Sequence, residues 1–237
     1  MPLTQVKMRI FTRLLCVLAH AATLNANVEK TVFLGPSPVT PSNVDDNSTP
    51  LSLDNLHIDV LDPAHRHILP TRLPVQFPVE AAPHGLDSWY LLHGLEHNRR
   101  YEVRICWPAT QPTDFWLDTF TIGALYASPD LVHSLVDYNI VHSKELDLRA
   151  HSRADSLLFL RIQAAASYFT TNQTLMQQSE PVDVDIILDP FILNILPRSL
   201  GPTAVYIILV GVFAWVASGF IYRWLLPIAH QVPDKEE

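Results

Sequence analysis

Tyr101-Glu102-Val103-Arg104-Ile105-Cys106-Trp107 alternates apolar and polar side chains through seven residues. Tyr101, Val103, Ile105 and Trp107 fall on one side of an extended backbone, and Glu102, Arg104 and Cys106 on the other. That is a period of two, the signature of a strand with one buried face. Pro108 stops it. Working outward, the spacing predicts further strands at Val28–Leu34, Leu56–Val60, Ser88–Leu92, Phe115–Ile122, Leu157–Ala164 and Val182–Leu188. In the last of these Val182, Val184 and Ile186 alternate with Asp183 and Asp185. Short strands separated by Pro-rich and polar turns read as a mainly β fold, an antiparallel β-sandwich-like domain. Leu131–Arg149 fits neither period cleanly and is read as a place for a short helix. Nineteen prolines against seven glycines agree with short extended segments rather than long helices.

Both ends of the 237-residue chain have a different character. Ala204–Tyr222, AVYIILVGVFAWVASGFIY, is uncharged and close to the roughly twenty residues needed to cross the hydrocarbon core of a bilayer as a helix. Pro202 precedes it, where a missing N–H costs little, and Arg223 and Trp224 close it with side chains suited to the headgroup layer. At the other end, Lys7, Arg9 and Arg13 precede the apolar run Leu14–Ala22 and the small residues around Ala21, the layout of a secretory signal peptide. The expected organisation is a signal peptide over residues 1–26 and a lumenal β-rich domain over 27–196. A membrane-proximal linker (197–203), a transmembrane helix (204–222) and a short cytosolic tail (223–237) follow, giving single-pass type I topology.

The formal net charge is −8, and no basic patch interleaved with aromatics exists, so nucleic-acid binding has no support. Cys16 falls in the segment expected to be removed, leaving Cys106 without an intrachain partner, which fits a domain sheltered by a membrane or a partner. His65 and His67 alternate, and His93 and His97 are four apart, but no cysteine pair or carboxylate pattern completes a zinc site. Asp45-Asp46 reads as a solvated turn. The Asp183/Asp185 spacing is also that of nucleotide-sugar enzymes whose carboxylates hold a divalent cation. Here it lies within a β-run, and the outer face of a strand explains it better. There is no G-x-S-x-G elbow, P-loop or Rossmann glycine pattern. Catalytic, cofactor-binding and metal-ligating residues are therefore expected to be absent. Asn47-Ser48-Thr49 and Asn172-Gln173-Thr174 are N-glycosylation acceptors, the first followed by Pro50. Within the expected span, Ala204, Gly211, Ala214 and Ser218 line one helical face, and small side chains there permit close helix–helix approach in lipid.

Three segments share a pattern with a known family: Asn27–Leu34 (NVEKTVFL), Tyr101–Thr110 (YEVRICWPAT), and Leu188–Thr203 (LDPFILNILPRSLGPT) leading into the apolar stretch. Together they resemble the fungal coactivator subunits of GPI mannosyltransferase II. The resemblance implies an endoplasmic reticulum membrane protein without catalytic residues. It implies as partner a multispan mannosyltransferase that adds the second mannose to the GPI precursor. Three other readings share the layout. The accessory subunit of GPI mannosyltransferase I has a similar lumenal domain and single span. A type I receptor would bind ligand through its sandwich. A GPI-attachment signal would end in its apolar tail, whereas this chain continues through Arg223 to a charged terminus.

Overall fold

The computed structural model describes residues 26–37, 56, 58–141 and 156–229. The signal-peptide segment, Asp45-Asp46, Asn47 and the tail beyond Ala229 lie outside these residues. The chain divides into two compact units, Met1–Pro190 and Phe191–Glu237.

In the first unit, two sheets enclose one core. One sheet contains β1 (Ala26–Leu34), β5 (Arg100–Pro108), β8 (Val182–Ile192) and β3 (Ile68–Leu73) in that order, all antiparallel. The other runs β2 (Asp59–Leu61), β4 (Leu86–Leu95), β7 (Ser156–Ala166), β6 (Thr113–Phe120). Its β4, β7 and β6 are antiparallel, whereas β2 joins the edge of β4 in parallel. The central strand behaves as its alternation requires: Tyr101, Val103 and Ile105 are fully buried and Trp107 nearly so. They meet Val182, Val184, Ile186 and Leu188 from their own sheet and Leu92, Leu158, Leu160 and Ile162 from the other. Each such side chain contributes on the order of 1.5–3 kcal/mol when fully buried.

A second core lies on the other face of the β2–β4–β7–β6 sheet. Trp89, Leu91 and Phe159 project there and are covered by α1 (Ile122–Tyr126) and α2 (Pro129–Val141) through Leu125 and Leu135. Thr121 caps α1, its hydroxyl accepting from the Ala124 N–H at 3.2 Å. Along α2, Leu131, Val132, Leu135 and Tyr138 make an apolar stripe at helical spacing. The structure thus places a three-turn helix where the sequence pattern was ambiguous, because the helix ends at Val141 and the polar residues after it in the sequence blur the period. Trp89 locks the helix to the sheet: its indole N–H donates to the Ser134 hydroxyl at 3.0 Å.

Other boundaries differ from the sequence reading. The Leu56–Val60 strand begins only at Asp59, and Ile122 opens a helix rather than ending a strand. Gly94 lies inside β4 with φ +68, where the ladder shifts register between Leu92 and Leu95. Strand β3 has no counterpart in the sequence reading, because Pro70 interrupts it. The sheet tolerates Pro70 because, among the described residues, β3 is an edge strand bonded only to β8; Leu69 and Leu73 still point into the core.

The second unit begins with the end of β8 and a tight turn. Ile195 N–H donates to the Ile192 carbonyl at 3.1 Å, and the two residues between, Leu193 and Asn194, have φ of 51 and 58. Two successive left-handed residues make a type I′-like hairpin, suited to asparagine but not to leucine. β9 (Leu196–Pro197) pairs back on Phe191 and Ile192, a single 3-10 turn covers Arg198–Leu200, and α4 runs Gly201–Ala229. The helix starts three residues before the expected span and continues past Arg223, so the segments read as linker and as tail both contribute to it. At 29 residues it is about 43 Å long, enough for a hydrocarbon core of roughly 30 Å and its flanking headgroups.

Replacing Leu135 by alanine should open a cavity under α2 and destabilise the first unit by about 2–5 kcal/mol. A urea titration of the detergent-solubilised full chain, followed by tryptophan fluorescence, measures this, since Trp89 shares that core.

Candidate functional site

Four places in the first unit could host chemistry, and most of their polar groups are engaged with neighbouring side chains or backbone. Across the middle of the first sheet, Glu102 on β5 stands directly opposite Asp189 on β8. Both are buried, although strand alternation puts Glu102 on the face opposite Tyr101 and Val103. Like charges in that register repel, and two cations offset them. Lys30 Nζ donates to Glu102 at 3.3 Å, and the Arg104 guanidinium lies 3.6 Å from Glu102 and 3.9 Å from Asp189. Sequence reasoning placed Glu102 on an open face. What places the cations there is the strand register, which sets Lys30 on β1 opposite Arg104 on β5. Buried pairs of this kind constrain alignment more than they stabilise.

At one end of the same sheet an open groove of about 590 Å³ is lined by Pro70, Arg72, Cys106, Pro108, Asp183 and Asp185. This brings together the cysteine and the paired carboxylates singled out in the sequence. Asp183 is engaged, bonded to Arg72 Nε at 2.9 Å and paired through backbone and side chain with Gln111. Burial raises the Cys106 pKa above the ordinary thiol value of 9.0. Arg104 opposes that shift, while Asp185 and Glu102 add to it. A thiol held protonated by burial and carboxylates is a poor nucleophile.

Asp62 gathers the histidines. Its carboxylate accepts from the Ala64 and His65 N–H groups at 2.6 and 3.2 Å, with the His65 and His93 rings at 3.5 and 3.6 Å. Burial would raise its pKa, but these backbone and imidazole contacts outweigh it, so the carboxyl sits below its ordinary 3.8. The structure therefore brings His65 and His93 to one carboxylate but brings neither His67 nor His97 to it. Among the described residues no group of three or more His, Cys, Asp or Glu side chains is arranged to hold a metal ion.

The fourth place is one the sequence did not reveal. The Ser134 hydroxyl, on α2, donates to Asp87 and accepts from Trp89. Gln163 donates to the other Asp87 oxygen at 2.9 Å and bonds His84, which stacks on Trp116 with ring centroids 4.2 Å apart. A serine beside an aspartate suggests a nucleophile, but a hydrolase triad needs an imidazole between them to take the proton. Here the hydroxyl proton goes straight to the carboxylate. The chain of bonds fastens α2 to β4 and β7.

The second unit presents a different kind of surface. Among the described residues α4 is the one helix long and apolar enough to cross a membrane, and none of its most apolar stretch is buried in protein. Val205–Val210, Phe213, Trp215 and Phe220 are all exposed. A β-carbon added at Gly211 or Gly219 would meet no atom within 4 Å. Gly211, with Ala204, Ala214 and Ser218, therefore leaves an open, shallow strip on the helix. Asn172 caps the short helix α3 (Gln173–Gln177). Its side-chain oxygen accepts from the Thr174 N–H at 3.0 Å, and both residues are exposed.

Comparison with known proteins separates the possibilities that geometry leaves open. The model of a family described as GPI-mannosyltransferase II co-activator matches residues 79–219, more than half the chain, from before β4 to well inside α4. The chain belongs to that family. A GPI mannosyltransferase 2 subunit from Schizosaccharomyces pombe is 21% identical over 135 residues, covering 57% of this chain and 56% of the relative. The chain thus spans little more than half the length of the curated relative it matches. No solved structure matches it. The co-activator family match takes in β4 to β9 and the helix as far as residue 219, so parts of both units belong to one family pattern.

In the folded chain, Cys106 should alkylate with iodoacetamide more slowly at neutral pH than an unstructured cysteine does. Its rate should keep climbing with pH past 9.0 before it levels off, since the folded thiol binds its proton more tightly than the ordinary group. A rate plateau at or below neutral pH, read by mass spectrometry, would reveal an activated thiolate.

Proposed function

We propose that this protein is a non-catalytic accessory subunit that stabilises or activates the endoplasmic reticulum mannosyltransferase adding the second mannose to the GPI precursor. The observation that carries this reading is the co-activator family match, which includes the lipid-competent helix. The raised pKa of Cys106 and the engagement of Asp183, Asp62 and Ser134 with their neighbours support a role other than catalysis. In this reading the chain enters the membrane once, as a type I protein with its sandwich in the lumen. Its partner is a multispan mannosyltransferase subunit.

The helix strip of Ala204, Gly211, Ala214 and Ser218 is the proposed contact with that partner. In lipid, apolar surface alone gives a helix no preference for protein over acyl chains. Association then depends on close packing, which small residues permit. The named relative is described as a subunit of GPI mannosyltransferase 2, which favours the second enzyme over the first. Depletion of the protein should accumulate a GPI precursor bearing one mannose; a precursor with none would assign it to the first enzyme instead. Plasma-membrane localisation of a tagged protein would favour the receptor reading.

Leucine at both Gly211 and Ala214 should reduce co-purification with the mannosyltransferase roughly tenfold, equivalent to about 1.4 kcal/mol. Sandwich stability should not change. Recovery equal to wild type would mean that the helix only anchors.

The exposed Asn172 side chain, with its amide nitrogen outside the cap bond to Thr174, is the proposed N-glycan acceptor within the described residues; Asn47 is the other candidate. Asn172→Gln should increase gel mobility by one glycan and abolish that part of the endoglycosidase H shift. An unchanged endoglycosidase-sensitive pattern would remove this site.

A further inference from the structure

The hairpin between β8 and β9 has a composition that its backbone does not explain. Leu193 and Ile195 at its tip are 86% and 78% exposed. Ile192 and Leu200 beside them are also exposed. Leu193 occupies a left-handed position, φ 51, that favours glycine, asparagine or aspartate and disfavours a large apolar residue. Hairpin geometry would put a polar residue there, and so would an aqueous surface. The chain instead carries leucine, with isoleucine two residues later.

The rest of this unit indicates what covers them. Ile192 Cδ1 lies 3.5 Å from where a β-carbon on Gly201, the first residue of α4, would sit. The base of the hairpin therefore touches the start of the helix. Leu193 is one residue from that contact, so its α-carbon lies about 4 Å along the chain from Ile192. A helix about 43 Å long has its ends in the headgroup layers when it spans a bilayer, and a tip so close to Gly201 shares that depth. Arg198 lies in the single turn between hairpin and helix, placing a cation where lipid phosphates are.

We propose that the Ile192–Ile195 hairpin is a second membrane contact, inserting Leu193 and Ile195 into the headgroup–acyl boundary beside the entry of α4. Transfer into that boundary supplies the reason for leucine at a turn position the backbone disfavours. The pairing of β9 with Phe191 and Ile192 holds the tip shaped for insertion. This goes beyond the co-activator reading and rests on α4 spanning a bilayer, not on the partner's identity.

The test uses the full chain, with Cys16 and Cys106 replaced by serine, in phosphatidylcholine–phosphatidylserine vesicles. A single environment-sensitive fluorophore is placed at Leu193→Cys, Ile195→Cys or Phe213→Cys. At Leu193→Cys and Ile195→Cys, emission should shift to the blue, resist aqueous iodide, and be quenched more by lipids spin-labelled near the headgroup than near the methyl end. The reverse lipid preference is expected at Phe213→Cys, in the middle of α4. Iodide quenching without lipid quenching at both hairpin positions, while Phe213→Cys behaves as expected, overturns the insertion and leaves the span intact. Shielding from iodide that appears only when the mannosyltransferase is reconstituted alongside, still without lipid quenching, overturns it in favour of a protein partner. Failure of lipid quenching at Phe213→Cys removes the span and the proposal with it.

Discussion

Apolar surface has to leave water, and this chain meets that requirement in two ways. In Met1–Pro190 the inner faces of two sheets close on each other and two short helices cover a third layer. In the most apolar stretch of α4 no side chain is buried in protein. Exposing that many Val, Ile, Leu and Phe residues to water would cost on the order of 1.5–3 kcal/mol for each fully exposed side chain. The same cost sets the backbone geometry: a single segment in hydrocarbon must satisfy its own N–H and C=O groups, which α4 does as a helix. Polar networks in the sandwich are then free to fix alignment, as Asp87 and Ser134 do, or to offset buried charge, as Lys30 and Arg104 do.

Much of this was legible in the sequence, for reasons specific to certain residues. YEVRICW and VDVDI alternate strictly because each strand has one face on the core, and the alternation survives into the observed burial of Tyr101, Val103, Ile105, Val182, Val184 and Ile186. The apolar run at the C-terminus has the length and composition of a membrane span, and it forms one continuous helix. Less was legible where tertiary context outweighed local preference. Pro70 hides β3, and only its edge position makes that proline acceptable. The parallel β2 is three residues long and owes its existence to β4. The stripe on α2 is correct in period but runs into polar residues that carry no period at all.

The candidate sites show a similar division. Sequence could name Cys106, Asp183 and the histidines but not their neighbours, and the neighbours decide their chemistry. Arg72 and Gln111 occupy Asp183, burial holds the Cys106 proton, and Asp62 gathers His65 and His93 around a turn. The Ser134–Asp87 bond joins residues 47 positions apart, a pairing that no local motif encodes. The positive φ at Leu193 is likewise invisible in sequence: ILNI contains an asparagine suited to a turn, yet nothing in the order of residues says that leucine shares the left-handed conformation.

The position of β8 in its sheet also has a consequence for the order of assembly. It lies between β5 and β3, and among the described residues β3 has no other sheet neighbour, so Ile68–Leu73 stays without this ladder until Val182–Ile192 has been synthesised. Such distant pairing slows closure because a long loop must be ordered before its contacts form. Chains are made from the N-terminus at about 5–20 residues per second, and α4 begins nine residues after β8 ends, at Gly201. The last strand the sandwich needs is therefore made only moments before its membrane helix. Completion of the fold and entry into lipid become neighbouring events in the life of the nascent chain.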